Sequence, residues 1–194
     1  MIDKNKTLWF PMRVRYSSTP RLLTLREELN RIGCECYIPM EYRQIGEHTK
    51  FVPRISNLIF VHAPYTYISQ LKQQPKFINL SYIMHNVPFE KTKTSEALYV
   101  PEKMMNDFIR VTNEQNEQVV FLDNMDFACK PGAHVKITEG AFAGVEGVVK
   151  SIKKHLCVVL PINGVVAVAI TNVPKKHLMY IKDENENEAT PETT

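Results

Sequence analysis

The chain has 194 residues, with 24 Lys and Arg against 21 Asp and Glu. This length allows one ordinary domain or two small ones and argues against a large enzyme. No apolar run approaches the ~18 residues that a membrane span needs, and the start MIDKNKTLW is charged, so we expect a soluble, cytoplasmic protein. The net charge of +3 divides into +6 for residues 1–110, +2 for residues 111–182 and −5 for residues 183–194. Residues 1–182 are therefore basic and are followed by an acidic tail, and the basic part favours a polyanionic partner.

The first elements are a strand and a helix. Residues 8–15 alternate between an apolar face and a face that carries Arg13 and Arg15, which predicts a strand in which Pro11 marks an edge or a bulge. A helix follows, with Thr19 as its N-cap, Pro20 at its first position and Gly33 as its stop. Its apolar stripe consists of Leu22, Leu25, Leu29 and Ile32.

The rest of the first segment alternates between short strands and helices. We predict strands at 36–39, 57–62 and 79–84, a helix over 65–73 and a final helix after Pro101, with residues 41–52 as a loop or an exposed hairpin. The order β-α-β-β-α-β-α predicts an α/β sandwich with the helices on one face of an antiparallel sheet. The first domain is assigned to residues 1–112.

The second segment, 130–182, is different in composition. It holds five of the seven glycines between short alternating strands, which is typical of a small all-β barrel of the SH3-like kind. The overall fold class is therefore α+β. Residues 113–129 are predicted to be a linker that ends in a packed stretch at 119–122, and residues 183–194 are predicted to be a disordered acidic tail.

No residue pattern points to catalysis. The sequence contains no nucleophile elbow, phosphate loop, zinc-protease motif or dinucleotide fingerprint, and the six histidines are scattered. The four cysteines, Cys34, Cys36, Cys129 and Cys157, lack metal-ligand spacing and are interpreted as buried or half-buried thiols. We therefore expect no enzyme activity, no cofactor and no metal.

The most informative pattern lies between residues 131 and 149. Its glycines stand where a short hairpin turns tightly, with valine and isoleucine as strand residues and one aromatic residue at the turn. These positions are Gly132, Val135, Ile137, Gly140, Phe142, Gly144 and Gly147. The stretch resembles the KOW motif of ribosomal proteins and of the NusG family of transcription elongation factors.

The resemblance to the NusG family extends upstream to about residue 8. The start at Leu8-Trp9-Phe10, the capped helix that ends at Gly33 and the stretch from Pro53 to Val61 are similar, in the same order, to the family's N-terminal (NGN) domain. The stretches 54–61, 82–84 and 100–104 are most similar to the specialised UpxY-type antiterminators, which are related in role to RfaH. Ser56-Asn57 departs from the Pro-Gly that is usual in the housekeeping members.

The resemblance implies a function and its contact residues. In the family, the N-terminal domain binds the clamp helices of the largest RNA polymerase subunit and keeps the elongation complex processive. The apolar residues at matching positions are Trp9, Phe10, Ile55, Leu58 and Phe60, although alternation requires about half of them to be interior. The resemblance likewise implies that Arg13, Arg15 and Arg21 contact non-template DNA or nascent RNA, with solvated surface charge as the alternative.

Three functions remain open at this point. The protein is expected to be an antitermination factor for long operons such as those for capsular polysaccharide, a general NusG, or a KOW-type protein that binds RNA or the ribosome. The resemblance implies Rho or a ribosomal protein as partners of the KOW domain. The strand pattern over 130–181 predicts a barrel and gives no support to refolding of that domain.

Overall fold

The computed structural model describes residues 3–15, 18–89, 92–114, 116–122, 132–152, 155–162 and 164–181. The chain divides into two compact units, Met1–Thr112 and Asn113–Thr194. Cys129 and the predicted acidic tail lie outside the described residues. Among the residues that are described, no helix is long and apolar enough to cross a membrane.

The first unit has the predicted order of strands and helices. Residues 41–52 form an exposed hairpin, one of the two structures expected for them, and Met84–Phe89 and Thr92–Ala97 form an additional one. Its elements are β1 (Thr7–Val14), α1 (Thr19–Arg31), β2 (Glu35–Tyr37), β3 (Met40–Ile45), β4 (His48–Pro53), β5 (Leu58–Pro64), α2 (Tyr65–Leu71), β6 (Leu80–Tyr82), β7 (Met84–Phe89), β8 (Thr92–Ala97) and α3 (Glu102–Asn113). The main sheet is antiparallel with the order β2-β5-β1-β6, while β3–β4 and β7–β8 each form a two-stranded sheet. The α+β fold class is confirmed.

Helix α1 begins one residue earlier than predicted. The N-cap is Ser18, whose side chain accepts a hydrogen bond from the backbone N–H of Arg21, and Thr19 is already helical. The serine can do this because its backbone is extended while its short hydroxyl reaches the first turn. Leu22, Leu25 and Leu29 are buried as the stripe predicts, but Ile32 is exposed because the helix ends at Arg31.

The sheet is covered on both faces, so the prediction that all helices lie on one face is wrong. Alternate residues of β1 and β5, such as Phe10 and Ile59, belong to a core that includes the stripe of α1 and Ile68 of α2. The opposite face of β5 carries Phe60, whose ring lies 6.0 Å from that of Phe108 in α3. Helix α3 has an apolar stripe of its own and needs an apolar partner, which this second face provides.

The second unit is mostly β. Its elements are β9 (Val119–Phe121), β10 (His134–Ile137), β11 (Glu146–Ile152), β12 (His155–Ile162), β13 (Val166–Thr171), a 3-10 turn at Lys175–His177 and β14 (Leu178–Tyr180). The described strands form one antiparallel sheet with the order β14-β10-β11-β12-β13-β9. Strands β12 and β13 are buried on both faces, which agrees with their nearly continuous apolar sequences.

The predicted linker contributes to both units. Helix α3 extends to Asn113, and β9 pairs with β13 from Val119 to Phe121, so residues 119–121 are part of the second sheet. Leu122 is buried against Cys157 and Val159. The packing of this stretch agrees with its apolar composition, and the sheet of the second unit starts before the predicted domain boundary at residue 130.

Candidate functional site

Four of the five side chains expected to contact polymerase are buried in the first unit. Trp9, Phe10, Leu58 and Phe60 are at most 1% exposed. The structure therefore contradicts a direct surface role for them. Leu58 and Phe60 do share a face of β5, as alternation predicts, but that face is the one covered by α3, where the ring of Phe108 packs on Phe60.

Trp9 and Phe10 point to opposite faces of the same strand. Phe10 belongs to the core on the α1 side, where its ring makes edge contacts with Tyr65 and Tyr82 at 6.2 and 5.6 Å between centroids. Trp9 stacks on His62 with a centroid distance of 4.6 Å and an interplanar angle of 3°. Both rings therefore stabilise the sheet from inside.

Ile55, the fifth residue, is half-buried in the turn that joins β4 to β5. Its carbonyl accepts a hydrogen bond from the backbone N–H of Leu58, which closes the turn. The neighbouring Arg54 donates its backbone N–H to the carbonyl of Pro39, which precedes β3 at the same end of the β3–β4 hairpin. Ile55 is thus the predicted contact that lies nearest to the surface, at the base of that hairpin.

The β3–β4 hairpin presents an exposed aromatic pair that we did not predict. Tyr42 and Phe51 are direct cross-strand partners, 60% and 52% exposed, with ring centroids 4.9 Å apart. The sequence carried a signal for this pair, because aromatic residues stand nine positions apart in a mainly polar segment that has a glycine between them. At the base, Met40 packs against the main core. The hairpin is thereby anchored at its base, and the aromatic pair is exposed two positions further along the ladder.

The other face of the hairpin is charged. Glu41 forms ion pairs with Arg43 and with Arg54, the latter at 3.1 Å between Nη1 and Oε2. Lys50 is exposed and lies directly opposite Arg43 in the β-ladder. Aromatic rings on one face and cations on the other are the residue types that contact unpaired bases and phosphates.

The three predicted nucleic-acid contacts are exposed, but they do not share one face. Arg13 lies on the face of β1 opposite Met12 and donates a hydrogen bond to the Asn57 side chain at 2.9 Å. Arg15 follows β1 directly and is held by a backbone hydrogen bond to Asn79. Arg21 is in the first turn of α1, the helix on the other side of the sheet. The structure thus places Arg13 and Arg15 at the end of one strand and Arg21 on a different layer.

Several glycines of the second unit stand where the backbone geometry requires glycine. A Cβ atom at Gly147 would lie 2.7 Å from the carbonyl oxygen of Val159, and one at Gly132 would lie 1.7 Å from that of Val149. Gly140 and Gly144 both have φ of +89°, a backbone conformation that L side chains rarely adopt. These positions require glycine because strands approach closely or because the turn is left-handed.

The apolar residues of the same motif form its core. Phe142 lies in the turn between β10 and β11 and is buried together with Val135 and Ile137. The backbone N–H of Gly144 donates to the carbonyl of Ile137, which closes the turn that contains Phe142. The seven positions singled out in the sequence therefore serve the fold of this unit.

The described cysteines are buried or half-buried thiols. Burial raises the pKa of the Cys34 and Cys36 thiols, with neighbouring charges adding to the effect at Cys36, so both stay protonated near neutral pH. Burial likewise raises the pKa of Cys157. Within the described part of the chain, no group of three or more His, Cys, Asp or Glu residues is placed to hold a metal ion.

Aromatic side chains around α2 surround Tyr82, whose pKa is strongly raised. Tyr65 and Tyr82 stack with centroids 4.7 Å apart, and the amino group of Lys72 lies 4.6 Å from the Tyr82 ring. Burial, and secondarily the proximity of Tyr65, raises the pKa of Tyr82 to about 12. Burial lowers the pKa of Lys72.

Comparison with known proteins finds a family match within the second unit. Residues 131–161 match the family described as the KOW motif, so the chain contains a KOW motif at the position that the glycine pattern indicated. No curated protein sequence matches the chain significantly. Among solved structures, NusG of Thermotoga maritima, from work on domain interaction in that protein, is similar: it is 17% identical, the match covers 91% of this chain and 98% of that one, and the TM-score is 0.41. A similarity at this level carries no functional inference by itself.

Proposed function

We propose that this protein is a NusG-type transcription elongation factor that binds RNA polymerase through its first unit and acts without catalysis. The observation that carries the proposal is the KOW motif at 131–161, which follows an α+β unit in the order that the sequence resemblance implies. The basic charge of residues 1–110 supports a position near nucleic acid.

The polymerase contact is assigned to the β3–β4 hairpin and the turn that follows it. Tyr42 and Phe51 expose apolar area that no core of the first unit covers, and half-buried Ile55 continues from the base of the hairpin. Exposed aromatic residues are enriched at protein interfaces and dominate their binding energy. Leu58 and Phe60 are buried on the face of β5 that α3 covers and are not part of this surface.

A pull-down of purified core polymerase tests this assignment. We expect the double variant Tyr42→Ala/Phe51→Ala to lose at least tenfold in affinity, because two exposed aromatic contacts are removed. Ile78→Ala is the matched control, since Ile78 is equally exposed but lies after α2, away from the hairpin. Equal recovery of polymerase by all three proteins would overturn the interface assignment. A loss of affinity that is also seen for Ile78→Ala would do the same.

The nucleic-acid contact is assigned to Arg13 and Arg15, with Arg21 as a separate contact on α1. Each phosphate contact adds about one unit to the slope of log affinity against log salt. Arg13→Gln should therefore weaken binding to single-stranded DNA uniformly across sequences and flatten that slope by about 0.7, the value for one contact with a single strand. Arg31→Gln, at the exposed end of α1, is the control for a general loss of charge. An unchanged slope for Arg13→Gln refutes the contact.

The finer proposal is a specialised antiterminator for long operons, such as those for capsular or surface polysaccharide. It is supported by the similarity of the stretches 54–61, 82–84 and 100–104 to the UpxY-type proteins. Transcript profiling after gene deletion tests it: changes confined to one operon support the specialist, whereas genome-wide changes support a general NusG that acts with Rho. An RNA- or ribosome-binding role of the KOW unit is the third candidate. Retention on RNA without any affinity for polymerase would favour it over both.

A further inference from the structure

The face of the β3–β4 hairpin opposite the aromatic pair is cationic. Arg43 of β3 and Lys50 of β4 are direct cross-strand partners, so two positive side chains lie next to each other. Glu41, on the same face of β3, pairs with Arg43 and also with Arg54 at the base of the hairpin. Lys50 is exposed and forms no ion pair with any described residue. Three cations thus share one carboxylate on this surface, which we call the cationic face.

The fold of the hairpin does not require two facing cations. Like charges directly opposite each other destabilise a β-ladder, because their Cβ atoms are only about 4.5–5.5 Å apart. Neutral groups close the hairpin: the hydroxyl of Thr49 donates to the Gln44 side chain at 2.7 Å, and the Gln44 amide donates to the carbonyl of Gly46 at 3.0 Å. The other carboxylate of the hairpin, Glu47, lies in the turn between the strands. The facing cations therefore lower the stability of the hairpin, and a bound anion would offset this loss.

The chemistry of the cationic face favours a phosphate backbone as the anion. The guanidinium of Arg43 and the ammonium of Lys50 are both groups that bind phosphate oxygens. Every residue of the hairpin is described, and its cationic face carries no Tyr, Phe or Trp ring on which an unpaired base could stack. A DNA duplex needs no such ring, since its bases are already stacked and its surface presents closely spaced phosphates. The formal charge of +6 on residues 1–110 attracts the same partner over a longer range.

We propose that the cationic face, through Arg43 and Lys50, binds the phosphate backbone of duplex DNA without reading its sequence. Glu41 holds the Arg43 guanidinium near the base of the hairpin, while Lys50 extends into solvent. Because side chains alternate along a strand, the aromatic pair and the cationic face can contact two partners at the same time. The site is distinct from the polymerase contact and from the arginines of β1, and phosphate binding to it does not depend on the proposed function.

Fluorescence anisotropy of the full-length protein with a labelled, mixed-sequence DNA duplex tests the site over a series of salt concentrations. Each phosphate contact contributes about 0.9 to the slope of log affinity against log salt, so Arg43→Gln/Lys50→Gln should flatten the slope by about 1.8. Lys6→Gln/Arg31→Gln is the matched control, because it removes two exposed cations outside the hairpin and should leave the slope nearly unchanged. Equal flattening in both double variants, or none in Arg43→Gln/Lys50→Gln, would overturn the proposal. Flattening that is seen only with the isolated single strand of the same sequence would overturn it as well.

Charge reversal at position 50 separates binding from folding. Lys50→Glu places a carboxylate directly opposite Arg43, so amide hydrogen exchange in the β3–β4 ladder should slow by about two- to fivefold. In the same variant the affinity for the duplex should fall, because the new carboxylate repels phosphate. A lysine that serves only the fold would not show a gain in protection together with a loss of binding. Faster exchange in the ladder, or an unchanged affinity for the duplex, would therefore overturn the proposal.

Discussion

Replacing Phe60 by alanine tests whether this side chain belongs to the hydrophobic core or to a surface that contacts a partner. Phe60 is fully buried, packs on the ring of Phe108 at 6.0 Å and lies across from Pro11 and Tyr37 in the sheet. Truncation of a buried phenylalanine costs about 3–5 kcal/mol, because the lost burial adds to the cavity that remains. Since the whole unit is expected to be stable by only about 5–15 kcal/mol, this is a large fraction of the total.

Urea unfolding followed by Trp9 fluorescence measures this loss for the first unit, where the only tryptophan lies. With a slope of about 2 kcal/mol per molar urea, a loss of about 4 kcal/mol lowers the midpoint by about 2 M. Phe51→Ala is the matched control. It removes the same side chain from an exposed cross-strand pair and should cost no more than about 1 kcal/mol. If the two variants shift the midpoint equally, the burial of Phe60 is refuted.

Three further predictions concern a glycine, a tyrosine and a helix cap. Gly147→Ala should destabilise the second unit by about 1–3 kcal/mol, because the new methyl group would lie 2.7 Å from the Val159 carbonyl oxygen. Thermal unfolding followed by the circular dichroism of the β-structure measures this loss, and a gain in stability would contradict it. Burial raises the pKa of Tyr82 to about 12, so the contribution of Tyr82 to stability is complete below pH 10 and is lost as pH rises towards 12. Tyr82→Phe should therefore reduce the fall of the urea midpoint between pH 10 and 12. An unchanged fall would show that Tyr82 is not responsible. Ser18→Ala should lower the free energy of unfolding by about 0.5–1 kcal/mol, and Ser18→Asp should leave it unchanged because aspartate also caps helices. The urea midpoint measures both changes, and an unchanged midpoint for Ser18→Ala would contradict the role of the cap.

The element order of the first unit was predictable because each element carries a local signal. Apolar spacing in α1 and the left-handed Gly33 after it determine where the helix packs and ends. The cap was missed by one residue, since Ser18 and Thr19 are both good N-caps and only the backbone decides between them. The β7–β8 hairpin was missed because its Thr- and Ser-rich second strand lacks apolar alternation.

The location of α3 could not be predicted from local patterns. Alternation in β5 correctly places Leu58 and Phe60 together, but it does not say whether their face meets solvent, a helix or a partner. The sequence did carry a clue, because Leu58 to Val61 is an uninterrupted apolar run, which is typical of a strand buried on both faces. We interpreted one face as a binding surface because the family resemblance assigns a hydrophobic face to polymerase.

The same limit explains why the contacts of His62 were not predicted. Glu35 and Glu102 are separated from it by 27 and 40 positions in the sequence. Their approach depends on the β2–β5 register and on the position at which α3 starts. A histidine without a carboxylate at helical spacing therefore looks isolated in the sequence while being paired on both sides in the fold.

The exposed pair on the hairpin is better explained by binding than by stability. A two-stranded hairpin is marginal by itself, and a cross-strand aromatic pair adds at most about 1 kcal/mol. Threonine has a high strand propensity and would hold the same ladder without placing apolar rings in water. The Gln44–Thr49 hydrogen bond beside the pair already shows how polar residues close this hairpin. Tyr42 and Phe51 therefore give the hairpin an exposed aromatic surface that its own fold does not require. This surface favours the hairpin over the buried strand β5 as the place where a partner binds.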